Sequence, residues 1–225
     1  MINNSNMRGV QETDYYLFLS AYMSVMSIHN GDHKKILIFV NKIKDIHKVY
    51  QYINEFLLKN DKLTTEKIYC IDKDTEDTSN KITEFNNLNY GIMINVYKIG
   101  EGIDIPSLDS VLLASEMSSK IRIVQSLLRC CRIHETKKIA RFIIPMIYNN
   151  EDDSNYNSND DIVKIKTYDT VKEVIEQLSH SDHNIFEKIK LSELDNRKSL
   201  KDKRKYPIEF YSPELTNEFR MKIIS

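Results

Sequence analysis

Apolar residues recur in two alternating patterns over the first 148 residues of the chain. In one pattern they lie three and four residues apart, as in an amphipathic helix. In the other they form short continuous runs, as in a strand that is covered on both faces. The first pattern predicts helices at residues 12–29, 43–57, 79–87 and 119–133. The second predicts strands at residues 35–40, 67–71, 91–96, 110–114 and 139–145. This alternation predicts an α/β fold with a doubly wound, mainly parallel sheet, in which ligands bind beyond the carboxyl ends of the strands.

The pattern changes after this core domain, which we place at residues 10–148. Residues 149–161 contain five asparagines and five acidic residues, which predicts a solvated linker. Residues 162–225 carry two further helical patterns and form a predicted helical extension. Within this extension, residues 188–205 contain eight basic and three acidic residues. Such a stretch fits either a solvated helix face or a contact with a phosphate backbone.

Composition allows a buried core but identifies no partner through charge. The 225 residues are 41% hydrophobic, and 32 basic residues nearly balance 33 acidic ones. The net charge therefore gives no general reason to expect nucleic acid or a membrane as a partner. No apolar run reaches the length of a membrane span, and the amino terminus lacks the pattern of a signal peptide. Together with three cysteines that predict reduced thiols, this favours an intracellular protein without a membrane partner. No histidine, cysteine and carboxylate set predicts a metal site.

Glycine is scarce, and its positions limit the nucleotide chemistry that these residues can perform. None of the five glycines precedes a lysine, so the sequence contains no P-loop to hold a triphosphate. It contains no Asp-Glu pair either, and so lacks an Asp-Glu box that would hold magnesium and water. We therefore expect any nucleotide chemistry to need these parts from another chain or an upstream segment.

A first candidate site follows the strand predicted at residues 91–96. Gly100 and Gly102 permit a tight turn and a close approach of the backbone to a ligand. Glu101 and Asp104 come next to these glycines, and we expect them at the carboxyl edge of the sheet, where ligands bind in this architecture. Taken alone, the pattern fits equally a tight turn with two solvated carboxylates.

A second candidate site lies in the helix predicted at residues 119–133. Gln125, Arg129 and Arg132 are spaced i, i+4 and i+7, which places them on one face of that helix. Guanidinium groups bind phosphate oxygens through a planar fork and offset charge on a transferred phosphoryl group. The alternative is an ordinary surface helix with solvated arginines.

Residues 36–41, 91–106 and 125–132 together resemble motifs IV, V and VI of superfamily 2 helicases, in that order. These motifs belong to the C-terminal RecA-like lobe of that superfamily, and the resemblance covers about residues 15–148. The sequence from Asn95 to Pro106 is most similar to helicases associated with restriction-modification systems and to their viral relatives. The resemblance therefore implies a RecA-like fold, in the cytoplasm or nucleus, or in a host cell if the protein is viral.

The resemblance also implies a role for each matching residue. Arg129 and Arg132 would be the catalytic arginines, with Arg132 as the arginine finger that reaches the γ-phosphate of ATP. The implied nucleotide-binding residues are Glu101, Gly102, Asp104 and Gln125. The implied contacts with the backbone of DNA or RNA are Asn41, Lys42, Asn95 and Val96. The implied cofactor is ATP with Mg²⁺, and an N-terminal helicase lobe, on another chain or an upstream segment, would hold the Mg²⁺.

The sequence departs from the superfamily at one position of motif VI. Leu128 stands where the motif usually has a glycine before the first arginine. Together with the absent P-loop, this departure keeps a second hypothesis open, a non-enzymatic remnant of a helicase that binds nucleic acid or a partner protein. A third hypothesis is an unrelated α/β enzyme that binds the phosphate of a nucleotide or sugar at the turn of residues 100–102.

Overall fold

The computed structural model describes residues 11, 14–57, 62–96, 105–115, 130, 132, 134–137 and 139–145. Most of the helix predicted at residues 119–133 lies outside these ranges, as do the predicted linker and the predicted C-terminal extension. The boundaries predicted for those segments therefore stay predictions.

The described elements follow the order that the hydrophobic pattern predicts. The helices are α1 (Tyr15–Asn30), α2 (Ile43–Phe56) and α3 (Thr78–Asn87). The strands are β1 (Lys35–Val40), β2 (Ile68–Ile71), β3 (Gly91–Val96), β4 (Ser110–Leu113) and β5 (Arg141–Ile143). Each of these elements overlaps a range predicted from the sequence, which confirms the predicted order of strands and helices.

All five strands lie parallel in one sheet with the order β2-β3-β1-β4-β5. In the central strand β1, Lys35 lies opposite Gly91 of β3, and Ile36 lies opposite Ser110 of β4. Because the strands are parallel, they all begin at one edge of the sheet, here called the amino edge, and end at the opposite carboxyl edge. This parallel sheet with its helices confirms the predicted α/β fold and matches the RecA-like architecture.

Alternating side chains of the strands form one buried cluster on each face of the sheet. Ile38 of β1 belongs to the cluster that contains α1 and α2. The next residue, Phe39, belongs to the opposite cluster, which contains Phe85 of α3 and Cys130. The helices thus cover both faces, and this explains why the strands consist of continuous apolar runs.

Aromatic contacts and one ion pair join α1 to α2. The rings of Phe18 and Tyr22 in α1 meet Phe56 of α2 edge to face, with centroid distances of 5.2 and 5.5 Å. At the start of α1, both carboxylate oxygens of Asp14 accept hydrogen bonds from Lys48 of α2, at 2.6 and 2.7 Å. The hydrogen bond with Asp14 raises the pKa of Lys48.

Candidate nucleotide and nucleic-acid site

Two of the predicted nucleic-acid contacts lie on the surface at the carboxyl edge. Asn41 and Lys42 directly follow β1, and both residues are exposed. Lys42 has an extended backbone with φ −127°, and its carbonyl accepts a hydrogen bond of 2.9 Å from the amide of Asp45 in the first turn of α2. The sharp change from strand to helix thus keeps both residues at the surface of this edge.

The other two predicted nucleic-acid contacts, Asn95 and Val96, are the last residues of β3 and are buried. Asn95 is 0% exposed and lies between Phe39 of β1 and Ile71 of β2. Among the described residues, no hydrogen-bond partner meets either polar atom of its side-chain amide. A buried amide that stays unpaired costs roughly 1–3 kcal/mol. We therefore expect its partner in chain outside the described ranges or in a bound molecule.

Most of the predicted nucleotide-binding and catalytic residues lie outside the described ranges, and these are Glu101, Gly102, Asp104, Gln125 and Arg129. The described residues after Asp104 nevertheless show which edge of the sheet this part of the chain contacts. Ile105 is buried in the cluster of α3, and Ser107 contacts Lys35, the first residue of β1. Ser107 therefore lies at the amino edge. Asp104 lies outside the described residues, and its expected location at the carboxyl edge stays a prediction.

Polar side chains fix the segment 105–109, here called the β4 loop, to the amino edge. The Lys35 ammonium donates hydrogen bonds to the carbonyl oxygen of Asn86 at 2.5 Å and to the hydroxyl oxygen of Ser107 at 2.7 Å. The Ser107 hydroxyl in turn donates to Oδ1 of Asn86 at 2.6 Å. These bonds connect the β4 loop to β1 and to the end of α3.

Asp109 aligns the starts of three strands. Its carboxylate accepts hydrogen bonds from the amides of Lys34 and Lys35 at 2.7 and 3.1 Å, and from the Ser110 hydroxyl at 3.0 Å. Its backbone carbonyl accepts from the amide of Arg141, the first residue of β5, at 2.9 Å. A single buried side chain thus joins β1 to β4, and its backbone joins β4 to β5.

Burial changes the proton affinity of two residues at this edge. His33 Nδ1 lies 2.6 Å from the Ser110 hydroxyl oxygen. Burial lowers the pKa of His33, with Asp109 opposing this change. Burial also lowers the pKa of Lys35 from its usual 10.5 to about 8.

Arg132, the predicted arginine finger, is exposed. Cys130, two residues earlier, is buried, and its thiol lies 3.8 Å from the carbonyl oxygen of Arg141. The Lys137 ammonium donates hydrogen bonds to the carbonyl oxygens of Cys130, at 2.8 Å, and of Leu108, at 2.6 Å. The chain that carries Arg132 is thus held beside the β4 loop, which follows Asp104.

Asp109 and Lys137, which join the β4 loop to β1 and to Cys130, were not among the residues predicted from the sequence. One signal was present, since polar residues directly precede the apolar runs of β1 and β4. Contacts such as those between Lys35 and Ser107 join residues 72 positions apart, and no local pattern shows which distant residues will meet.

Among the described residues, no group of three or more histidines, cysteines and carboxylates is placed to hold a metal ion. No described helix is long and apolar enough to cross a membrane.

Several solved structures are similar to this chain. The ATP-dependent Type ISP restriction-modification enzyme LlaBIII bound to DNA superposes with a TM-score of 0.62 at 23% identity, over 81% of this chain and 13% of that chain. T4 UvsW superposes with a TM-score of 0.49 at 15% identity, over 78% of this chain and 36% of that one. Domain 2 of the DEAD-box helicase Mss116p bound to an RNA duplex gives a TM-score of 0.46 at 15% identity, over 82% of this chain and 72% of that one.

The chain spans only a small part of the first two of these proteins, 13% of LlaBIII and 36% of UvsW. A comparison with curated proteins finds no match. The model of the family described as the helicase conserved C-terminal domain matches residues 18–134, which is more than half of the 225 residues. The chain therefore belongs to the helicase conserved C-terminal domain family, as its resemblance to the C-terminal RecA-like lobe of superfamily 2 helicases predicted.

Proposed function

We propose that the chain is the C-terminal lobe of an ATP-dependent helicase or translocase, in which ATP hydrolysis drives movement along DNA or RNA. The observation that carries this proposal is the position of two polar surfaces at opposite edges of one sheet. Asn41 and Lys42 are exposed at the carboxyl edge, and the exposed Arg132 follows Cys130, whose carbonyl Lys137 joins to the β4 loop at the amino edge. This arrangement supports separate surfaces on one lobe, one for a nucleic-acid strand and one for a nucleotide.

At the amino edge, Arg132 would act on ATP that is bound mainly by a second lobe. ATP with Mg²⁺ supplies the phosphoryl group that is transferred, and the P-loop lobe would hold the metal, because these 225 residues contain neither a P-loop nor an Asp-Glu pair. The exposed Arg132 guanidinium suits phosphate oxygens, since its donors form a planar fork. Its charge would stabilise the negative charge that develops on the transferred group, with Arg129 beside it. Glu101, Gly102, Asp104 and Gln125 would complete the nucleotide-binding surface.

At the carboxyl edge, Asn41 and Lys42 would bind the phosphate backbone of DNA or RNA. An ammonium group and an amide on an exposed turn bind phosphates without reading the sequence of bases. Asn95 and Val96 would support this surface from inside β3, since both are buried there. The buried side-chain amide of Asn95 would then hold the neighbouring protein backbone and would not contact the nucleic-acid strand directly.

The catalytic part of the proposal is tested by ATP hydrolysis in a complex of this chain with a P-loop lobe. Arg132→Ala is expected to lower kcat by about 1,000-fold or more while ATP binding is retained, because an arginine finger acts mainly in the transition state. Lys73→Ala is the control, because its side chain is 68% exposed and lies 4.0 Å from Asp74 in a surface ion pair. Retained turnover in Arg132→Ala would show that Arg132 is not the finger.

The nucleic-acid part is tested with the chain alone, by fluorescence anisotropy of labelled single-stranded and duplex oligonucleotides at several salt concentrations. Lys42→Met is expected to weaken binding and to reduce the slope of log K against log salt by about one. Lys34→Met is the matched control, because this exposed lysine lies at the opposite end of β1. Equal effects of the two variants would refute a binding surface at the carboxyl edge. Binding without ATP turnover in every complex would instead favour a non-enzymatic remnant.

A further inference from the structure

Lys137 connects two segments that the proposed function uses but that are distant in sequence. Its ammonium lies 2.6 Å from the carbonyl oxygen of Leu108 and 2.8 Å from that of Cys130. Leu108 belongs to the β4 loop, which follows motif V, and Cys130 lies in motif VI, two residues before Arg132. Both carbonyl groups belong to buried residues, with Leu108 1% and Cys130 0% exposed. One charged donor therefore binds a carbonyl oxygen of the β4 loop and one of motif VI.

We propose that Lys137 is a positioning residue for Arg132, and that it fixes the distance between the arginine and the β4 loop. This inference rests on the proposed function, because it assigns Lys137 a role in the hydrolysis attributed to Arg132. A lysine suits this position, because the three donors of its ammonium group can serve two carbonyl groups at once. Hydrogen bonds from a charged donor are also stronger than those between neutral groups.

The turn at residues 134–137 directs the Lys137 side chain towards the carbonyl groups of Leu108 and Cys130. Nδ1 of His134 lies 2.8 Å from the Thr136 hydroxyl, and it accepts a hydrogen bond of 3.3 Å from the Thr136 amide. The Lys137 amide donates to the His134 carbonyl at 3.2 Å. These contacts fix the backbone of residues 134–137, from which the Lys137 side chain extends. A well-placed guanidinium matters for catalysis, because an error of about 1 Å in a reacting geometry can lower a rate about 100-fold.

The first test measures amide hydrogen exchange in the full chain. Lys137→Met keeps the aliphatic chain and removes the donors, and it is expected to increase exchange about 10-fold or more in both the β4 loop and residues 132–137. Lys138→Met, which removes the same charge one residue later, is expected to exchange like the wild type. Lys137→Arg, which restores charged donors, is expected to return exchange towards the wild-type rate. If Lys137→Met does not fold, Lys137→Gln, which keeps one donor group, takes its place. Exchange that rises in only one segment, or in neither, overturns the proposal.

The second test separates a positioning role from a structural one, using ATP hydrolysis in the complex with the P-loop lobe. Lys137→Met is expected to lower kcat about 10- to 100-fold with little change in KM, at a temperature where the variant is fully folded. Unchanged kcat in Lys137→Met, together with lost turnover in Arg132→Ala, overturns the role of Lys137 and leaves the proposed function intact. Retained turnover in Arg132→Ala shows that Arg132 is not the finger and overturns the role of Lys137 with it, whereas a wild-type complex that does not hydrolyse ATP overturns the proposed function itself.

Discussion

Asp109 offers the sharpest test of how the amino edge is stabilised. Asp109→Ala removes a carboxylate that is 8% exposed and accepts three hydrogen bonds, from the amides of Lys34 and Lys35 and from the Ser110 hydroxyl. Alanine leaves these donors without their acceptor at the point where β1 and β4 begin. Because the neighbouring side chains are closely packed, we expect little water to replace the lost oxygens.

The magnitude follows from the number and type of these hydrogen bonds. A hydrogen bond to a charged group contributes roughly 1.5–3 kcal/mol, and the contributions of bonds to one shared group do not simply add. We therefore expect Asp109→Ala to lower the free energy of unfolding by about 3–5 kcal/mol. Asp109→Asn should cause a smaller loss, because one carbonyl oxygen remains but the amide nitrogen cannot accept a hydrogen bond.

Urea denaturation at pH 7, followed by circular dichroism, measures this difference. The expected result is a lower midpoint with an unchanged m value, as for a change in stability without a change in the exposed surface. Asp74→Ala is the matched control, because its side chain is 72% exposed, and its effect should stay within about 0.5 kcal/mol. A loss below about 1 kcal/mol for Asp109→Ala would refute the view that its carboxylate aligns the strands.

Three further predictions concern the core and two lysines. Gly91→Ala would place a Cβ atom 2.9 Å from Cε2 of Phe85, so we expect a loss of about 1–3 kcal/mol in a thermal or urea unfolding experiment. For Lys35, the pKa of about 8 in the folded state lies below the usual 10.5, so between these values the unfolded chain binds a proton that the folded chain does not. The free energy of unfolding should thus rise from pH 8 to 10.5, and Lys35→Met should lack that rise. For Lys48 the sign is opposite, because the hydrogen bond with Asp14 raises the pKa of Lys48 in the folded state. The stabilisation that Lys48 contributes is therefore present below pH 10.5 and is lost as the pH rises through the raised pKa. Lys48→Met should accordingly melt at a lower temperature than the wild type at pH 7, with a difference that narrows above pH 10.5.

Much of the fold could be predicted because burial on both faces of a parallel sheet leaves a strong signal. β1 and β3 have six buried residues each, and their predicted bounds agree with the structure at both ends. β5 was predicted at residues 139–145 but extends only from Arg141 to Ile143. β5 pairs with β4 on one side. The apolar residue Ile139 lies before the paired residues and is 52% exposed, so the apolar run does not predict where pairing in β5 begins.

The candidate site was harder to predict, because its geometry depends on how the chain crosses the sheet. The motifs indicated which residues belong together, and the location of Asp104, which lies outside the described residues, stays a prediction. Nothing local in the sequence shows that the chain reaches the amino edge by Ser107, since Lys35 and Asn86 fix it there. The role of Lys137 was similarly hidden, because it binds backbone carbonyl groups, which carry no sequence signal.

The central strand gives the proposed lobe a mechanical property. Lys35 at one end of β1 holds the β4 loop, and Lys42 follows the other end. Six residues at about 3.3 Å each make a rod of roughly 20 Å. All six are buried between two neighbouring strands, and a close-packed interior resists compression. A displacement of the amino edge would therefore not be absorbed inside the lobe. It would move Lys42 and its surroundings as one stiff body over roughly 20 Å, which is the stiffness that the proposed coupling of ATP hydrolysis to movement requires.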